Sequence, residues 1–289
     1  MISTAKINIE EVINTELPAS PAIAMRVAAL TRDLNASTRA IADAIGSDPL
    51  LAARVISAAN ASSHALERRV SALPPAVSAH GNQMIYTLAV SSGVSESRWL
   101  EHQTPITGAL HQHSLAVGMA ARQVVRELGM NGDEEAFACG LLHDIGKLLM
   151  AGHDANLYAH CANYVDEQQL FEREREIYGF THAQAGALVA KRWNFPDELC
   201  YAIYNHHHPG QAKNSLVIAR VVDIDDNLAN AHGYGLRLNP QPNLATTESA
   251  LALRLTAEQL NRIWDAVEPE LTREMIALAS SNFNPQIYS

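Results

Sequence analysis

A chain of 289 residues, 47% of them apolar, can bury a sizeable core without disulfides or a structural metal. Its formal charge of −10 repels phosphate backbones, which sets broad nucleic-acid binding aside but leaves room for a locally positive pocket. No basic-then-apolar leader opens the sequence, no segment holds about 18 uninterrupted apolar residues, and Cys139, Cys161 and Cys200 form no C-x-x-C, so the expectation is a cytoplasmic protein with free thiols and no membrane span.

High alanine with Leu, Ile, Glu and Arg favours helices, and no alternating β-branched run with hairpin turns occurs, so the expected fold is all-α. In chain order, Ser20-Pro21 has the form of an N-cap followed by a first-turn proline, leading into the apolar run Ile23 to Leu30. A second helix is predicted from Ser37 to Gly46, with the glycine as a C-terminal stop. Ser47-Asp48-Pro49 starts a third, carrying Leu50, Leu51, Val55 and Ile56. This pair has the outline of a helix-turn-helix, but Arg54 is the third helix's only basic residue and Asp48 sits at its start, which speaks against DNA reading. Ser92 to Pro105 reads as a linker between two helical lobes, 1–100 and 101–289.

Helical patterning resumes near Ala109, and Asp133 is expected to cap a helix containing Phe137, Leu141 and Leu142. Glu167 to Glu176 reads as a solvated helix face, and Pro196 opens a short helix ending at His206-His207-His208. Gly233 to Glu248 reads as an irregular connection. Thr256 with Gln259 predicts a capping box for a last helix whose Leu260, Ile263, Trp264, Val267 and Leu271 share one face, and which Pro269 is expected to kink or break. No internal repeat is evident.

Histidine is enriched: 13 in all, clustered between His102 and His208. The strongest local signal is Leu141-Leu142-His143-Asp144-Ile145-Gly146-Lys147. Adjacent His and Asp offer an imidazole and a carboxylate from one stretch of backbone, and the apolar flanks argue for burial, where an aspartate needs a cation or donors. Lys147 lies four residues from His143, within reach of a phosphate at the same ion. His113, His182, His206 and His207 recur at helix-length intervals, and Asp223, Asp225 and Asp226 lie in the apolar run Leu216 to Ala229. Each alone has an ordinary explanation as a cap, a helix terminus or a surface group. Their joint order points to metal.

That order resembles the HD superfamily of metal-dependent phosphohydrolases, including its HD-GYP branch, and the likeness to HDOD modules is closer and covers most of the chain. It is carried by Leu17-Pro18-Ala19-Ser20-Pro21, Asp48-Pro49-Leu50, Asn60-Ala61-Ser62, Phe137 to Gly146, His182 to Gly186, Trp193, Pro196 and His206 to Pro209. There are departures: His111 stands where the family often has Trp, Ala61 follows Asn60 in place of Ser, and no Gly-Tyr-Pro of the HD-GYP branch is evident. The family's Ala-Asp-x-Leu-Ala pattern aligns with Asp225 to Ala229 and selects Asp226.

The resemblance implies an HD-like helical core in the C-terminal lobe. One metal would rest on His113, His143, Asp144 and Asp226, and a second on His182, His206 and His207, bridged by Asp144; Asp144 and Lys147 would be the catalytic residues, with Lys147 neutralising phosphate charge or assisting the leaving group. One or two divalent transition ions fit such ligands, Fe first, with Mn, Zn or Ni as alternatives. The implied function is a bacterial-type signal-transduction or regulatory module with a signalling protein partner. The alternative is an active phosphohydrolase on a nucleotide, cyclic dinucleotide or other phosphodiester. Because the first family-like block begins by Leu17, an upstream signal is expected from a separate chain rather than a receiver domain in this one.

Overall fold

Every regular element is helical, and no strand forms among the described residues. The computed structural model describes residues 7–62, 69–92, 102–162, 166–212, 215–237 and 243–281. The N-terminal part holds α1 (Ile9–Ile13), α2 (Pro21–Leu30), α3 (Thr38–Ile45), α4 (Pro49–Ser62) and α5 (Leu73–Ser92). The remainder holds α6 (Pro105–Glu127), α7 (Asp133–Leu142), α8 (Ile145–His153), α9 (Ala155–Tyr158), α10 (Glu167–Ile177), α11 (His182–Arg192), α12 (Asp197–Asn205), α13 (Leu216–Ala231), α14 (Glu248–Leu253) and α15 (Ala257–Ser281). The middle of the expected linker, 93–101, lies outside the described residues.

Local chemistry explains the helix starts. The buried Asp48 carboxylate accepts from the N–H groups of Leu50 at 2.8 Å and Leu51 at 2.9 Å, capping α4, and from the N–H of Ser20 at 2.6 Å, tying the start of α2 to it. Ser20 occupies the N-cap position of α2, but its hydroxyl makes no capping bond. Asp133 is the first residue of α7 rather than its cap: Gly132 takes that position at φ 93°, freeing Asp133 to pair with Arg126 Nε at 2.7 Å. Gly46 ends α3 without a left-handed turn, at φ −65°. It is needed for closeness instead, since a Cβ there would lie 2.8 Å from the Phe137 ring.

One core runs from Ile23, Ile41 and Ile56 through Val117 and Leu141 to Val222, Ile263 and Trp264, so both halves of the chain share it. A second core under α8 and α11 recruits Val12, Ile13 and Leu17 from the N-terminal segment. Each fully buried large side chain contributes roughly 1.5–3 kcal/mol. The start of α15 is closed by reciprocal bonds between Thr256 and Gln259, 3.1 and 3.2 Å, and its Leu260, Ile263, Trp264, Val267 and Leu271 are buried. Pro269 does not break this helix. It sits on the exposed side of the helix, while the apolar stripe stays packed. No helix among the described residues is long and apolar enough to cross a membrane.

The Arg54 guanidinium turns back and donates to the Leu17 carbonyl at 2.6 Å.

Candidate metal centre

The centre forms where six helices meet. His113 projects from the middle of α6. His143 and Asp144 occupy the junction where α7 stops and α8 begins; Asp144 leaves helical geometry at φ −100°, ψ 18°, so its carboxylate turns inward instead of capping α8. His182 is the first residue of α11, behind a Thr181–Gln184 capping box. His206 and His207 follow the last turn of α12, and Asp226 faces in from α13. Gly146 makes the approach of α8 to α11 possible, because a Cβ there would lie 2.0 Å from the His182 carbonyl oxygen.

Asp144 is the hub. Its Oδ2 lies 3.3 Å from His143 Nε2 and 3.6 Å from His113 Nε2; its Oδ1 lies 3.5 Å from His182 Nε2 and 3.6 Å from His206 Nε2. Lys147 Nζ donates to Oδ2 at 2.8 Å. Asp226 Oδ1 sits 3.0 Å from His113 Nε2, and Asp226 Oδ2 sits 3.9 Å from His207 Nδ1. His207 Nε2 is 3.1 Å from His182 Nε2. Two groups of donor atoms result, His113 with His143 and Asp144, and His182 with His206, His207 and Asp144. Asp226 joins His207 in a third group with Glu167.

The outer hydrogen bonds fix the tautomers. His113 Nδ1 faces the Tyr234 carbonyl at 2.7 Å, His143 Nδ1 that of Gly140 at 2.7 Å and His206 Nδ1 that of Ile203 at 2.6 Å. A carbonyl only accepts, so each Nδ1 carries a proton, and in its neutral form each ring turns a lone pair at Nε2 toward Asp144. His182 Nδ1 likewise donates to Glu174, 2.9 Å away. Buried lone pairs facing a buried carboxylate repel unless a cation lies between them. The Nε2 atoms of His143 and His206 and Asp144 Oδ1 have no hydrogen-bond partner among the described residues. Two donors bound about 2.1 Å from one ion stand about 3.0 Å apart at an octahedral angle and about 3.4 Å at a tetrahedral one, close to the separations here. The residues fit a divalent transition metal.

Electrostatics follow the same lines. Burial opposes ionisation of Asp144, yet His143 and Lys147 hold its carboxyl well below the usual range. Burial opposes Asp226 too, and the bond to His113 with the charge of Arg237 outweighs it. Burial lowers His113, but Asp226 and Asp144 together raise it above its ordinary value. His207 is pushed well down by burial and by His206. Asp225 is pushed well up by burial and by Asp223 and Asp226, and Asp223 is pushed up to about 6 by burial against a bond from Ser249.

All the sequence-derived candidates, His113, His143, Asp144, Lys147, His182, His206, His207 and Asp226, therefore gather in one place, nearly all of them sealed from solvent. Asp223 and Asp225 lie outside the donor groups. The segment Glu167 to Glu176 is not a purely solvated face: Glu174 is buried against His182, and Glu167 reaches His207. Arg237, which contacts Glu167, Asp226 and Asn227, lies in the connection read as irregular. Nothing in the spacing of these three residues marks them. A cleft of about 940 Å³ lined by Arg69, Lys191, Asp197 and Glu198 shares no residue with the centre.

Comparison with known proteins gives a consistent result. The family model for the HDOD domain matches residues 17–209. The chain is similar to the MmoQ response regulator of Methylococcus capsulatus, with 23% identity, a TM-score of 0.67 and coverage of 86% of this chain and 98% of that one. It is similar in fold to an HDOD domain protein of Geobacter sulfurreducens, with 22% identity, a TM-score of 0.52 and coverage of 92% and 93%. Among curated proteins it is 28% identical over 156 residues to ribonuclease Y of Nitratidesulfovibrio vulgaris, covering 51% of this chain. The match spans only 25% of that relative's length.

Proposed function

The chain belongs to the HDOD domain family, and on that footing we propose that it is a cytoplasmic regulatory module whose HD centre holds one or two divalent transition ions and signals to a protein partner. The observation that carries this reading is the ring of Nε2 lone pairs around the Asp144 carboxylate. His113, His143, Asp144 and Asp226 would hold one ion, and His182, His206 and His207 a second, with Asp144 between them. Imidazole and carboxylate together suit Fe, Mn, Zn or Ni, and iron is the first to test. The depth of the centre favours a regulatory over a turnover role, because the ligating atoms lie beneath the surface.

A second reading, hydrolysis of a nucleotide, cyclic dinucleotide or other phosphodiester, is favoured by Lys147, whose ammonium lies 2.8 Å from Asp144 Oδ2. A bound metal pair supplies an activated water and a clamp on phosphoryl oxygens. Lys147 would neutralise charge on the phosphate, while Asp144 keeps that ammonium in place.

Elemental analysis of protein purified without chelator tests the first reading: one to two equivalents are expected in the wild type and a large loss in Asp144→Ala. No metal in the wild type, and none taken up on addition, sinks it. Turnover of bis(p-nitrophenyl) phosphate and of cyclic dinucleotides with Fe or Mn, abolished in His143→Ala, selects the hydrolase. Metal without turnover selects the regulatory module.

A further inference from the structure

Among the residues around the centre, Glu167 and Arg237 mark its edge. Glu167 opens α10 with a side chain 20% exposed, against 5% for Arg237 and 3% or less for the ligating groups. Arg237 Nη1 donates to Asn227 Oδ1 at 2.6 Å, while Nη2 donates to Glu167 Oε1 and lies 3.5 Å from Asp226 Oδ2. The other Glu167 oxygen, Oε2, stands 3.3 Å from His207 Nε2 and has no hydrogen-bond partner among the described residues. One carboxylate thus spans, with its two oxygens, a guanidinium and an imidazole of the candidate centre. A phosphoryl group has more than one oxygen to offer such a place, one for the guanidinium, whose fork is well matched to it, and another toward the ion that His207 would help hold.

We propose that Arg237 forms an oxyanion subsite at the edge of the centre, beside the ion that His207 would help hold, that Glu167 is its internal occupant, and that a phosphate-bearing ligand enters by displacing the Glu167 side chain. This rests on the metal reading above: a cation at Asp226 takes up that carboxylate's charge and leaves Arg237 directed at whatever holds Glu167's place. Displacement is inexpensive for Glu167, because it lies in the first turn of α10, where a carboxylate released to water still faces the positive end of the helix. A buried acid such as Glu174 has no such exit.

The test uses the full-length, metal-loaded chain and inorganic phosphate as the probe, followed by calorimetry with metal content measured on the same samples. Glu167→Gln removes the competing charge, and phosphate affinity is expected to rise about tenfold, the size of one charge-assisted bond, at unchanged metal content. Adding Arg237→Lys to Glu167→Gln is expected to remove that gain, since an ammonium lacks the fork. A fully loaded Glu167→Gln protein with phosphate affinity within twofold of wild type overturns the subsite and leaves the metal reading standing. Loss of metal in Glu167→Gln overturns it as well, by making Glu167 a ligand. A wild type that takes up no metal overturns both.

Discussion

Glu174 grips His182 twice: one carboxylate oxygen accepts the backbone N–H at 2.9 Å, and both lie 2.9 Å from Nδ1. The Tyr158 hydroxyl adds a third donor at 3.3 Å. The carboxylate is fully buried, so it fixes both where α11 begins and which nitrogen of His182 faces Asp144.

Glu174→Ala is expected to weaken metal binding about 10–100-fold, the usual cost of removing a partner behind a ligating imidazole. Glu174→Gln, which still offers an amide oxygen to Nδ1–H, should fall between that variant and the wild type. Competition against a chelator of known affinity measures both. Equal affinity in wild type and Glu174→Ala would show that His182 needs no such support.

Gly146→Ala places a methyl 2.0 Å from the His182 carbonyl oxygen, a backbone atom that cannot swing aside. Helices α8 and α11 must separate, at a cost of about 1–3 kcal/mol or more, and Asp144 moves away from His182. Thermal unfolding and metal content should drop together. A variant with wild-type melting temperature and full metal would mean that the helix pair has slack there.

Metal uptake should strengthen as pH rises. His113 is raised above its ordinary value, the lowering effect of burial being outweighed by Asp226 and Asp144, and the proton it holds at Nε2 occupies the position a cation needs. In the metal-free protein this histidine adds stability that is present below its unfolded pKa of roughly 6.5 and is lost as pH climbs through the folded value. The extra stability conferred by metal should therefore grow from about pH 6 to about pH 8. Unfolding with and without metal across that range measures it, and a flat difference would remove His113 from the ligand set.

Asp223 supplies a separate pH test. Its carboxyl is pushed up to about 6, so in the metal-free protein it stabilises at low pH and loses that contribution as pH rises from its ordinary 3.8 through 6. Asp223→Asn carries no charge to bury. Its stability relative to wild type should improve by up to about 3 kcal/mol between pH 4 and pH 7, a two-unit shift at 1.36 kcal/mol each. A constant difference across that interval would mean that the group titrates normally.

The candidate ligands were legible because His and Asp stand out at helix-length intervals in an otherwise apolar, alanine-rich sequence. Their supports were not. Glu174 and Glu167 sit in the charged run Glu167 to Ile177, where composition says solvent, and only the docking of α10 buries one while leaving the other near the surface. The acceptors for His113, His143 and His206 are backbone carbonyls, which carry no side-chain signature. Pro269 leaves its helix unbroken, because the proline rule counts the lost hydrogen bond but not which side of the helix loses it. Gly46 does end α3, as its place in the sequence implies, but what requires a glycine there is room for Phe137 rather than a left-handed turn.

Helix α13 and the turn after it lie beyond Pro209, where the family match ends. Yet Asp226, the Tyr234 carbonyl behind His113 and the Arg237 guanidinium all come from there, and Tyr234 and His232 in turn lean on Trp264 of α15, with ring centroids 5.6 and 4.2 Å away. A fragment trimmed to residues 17–209 would keep the His-Asp pair and forfeit part of the apparatus around it. The residues gathered at the candidate centre extend past the boundary by which the family is recognised.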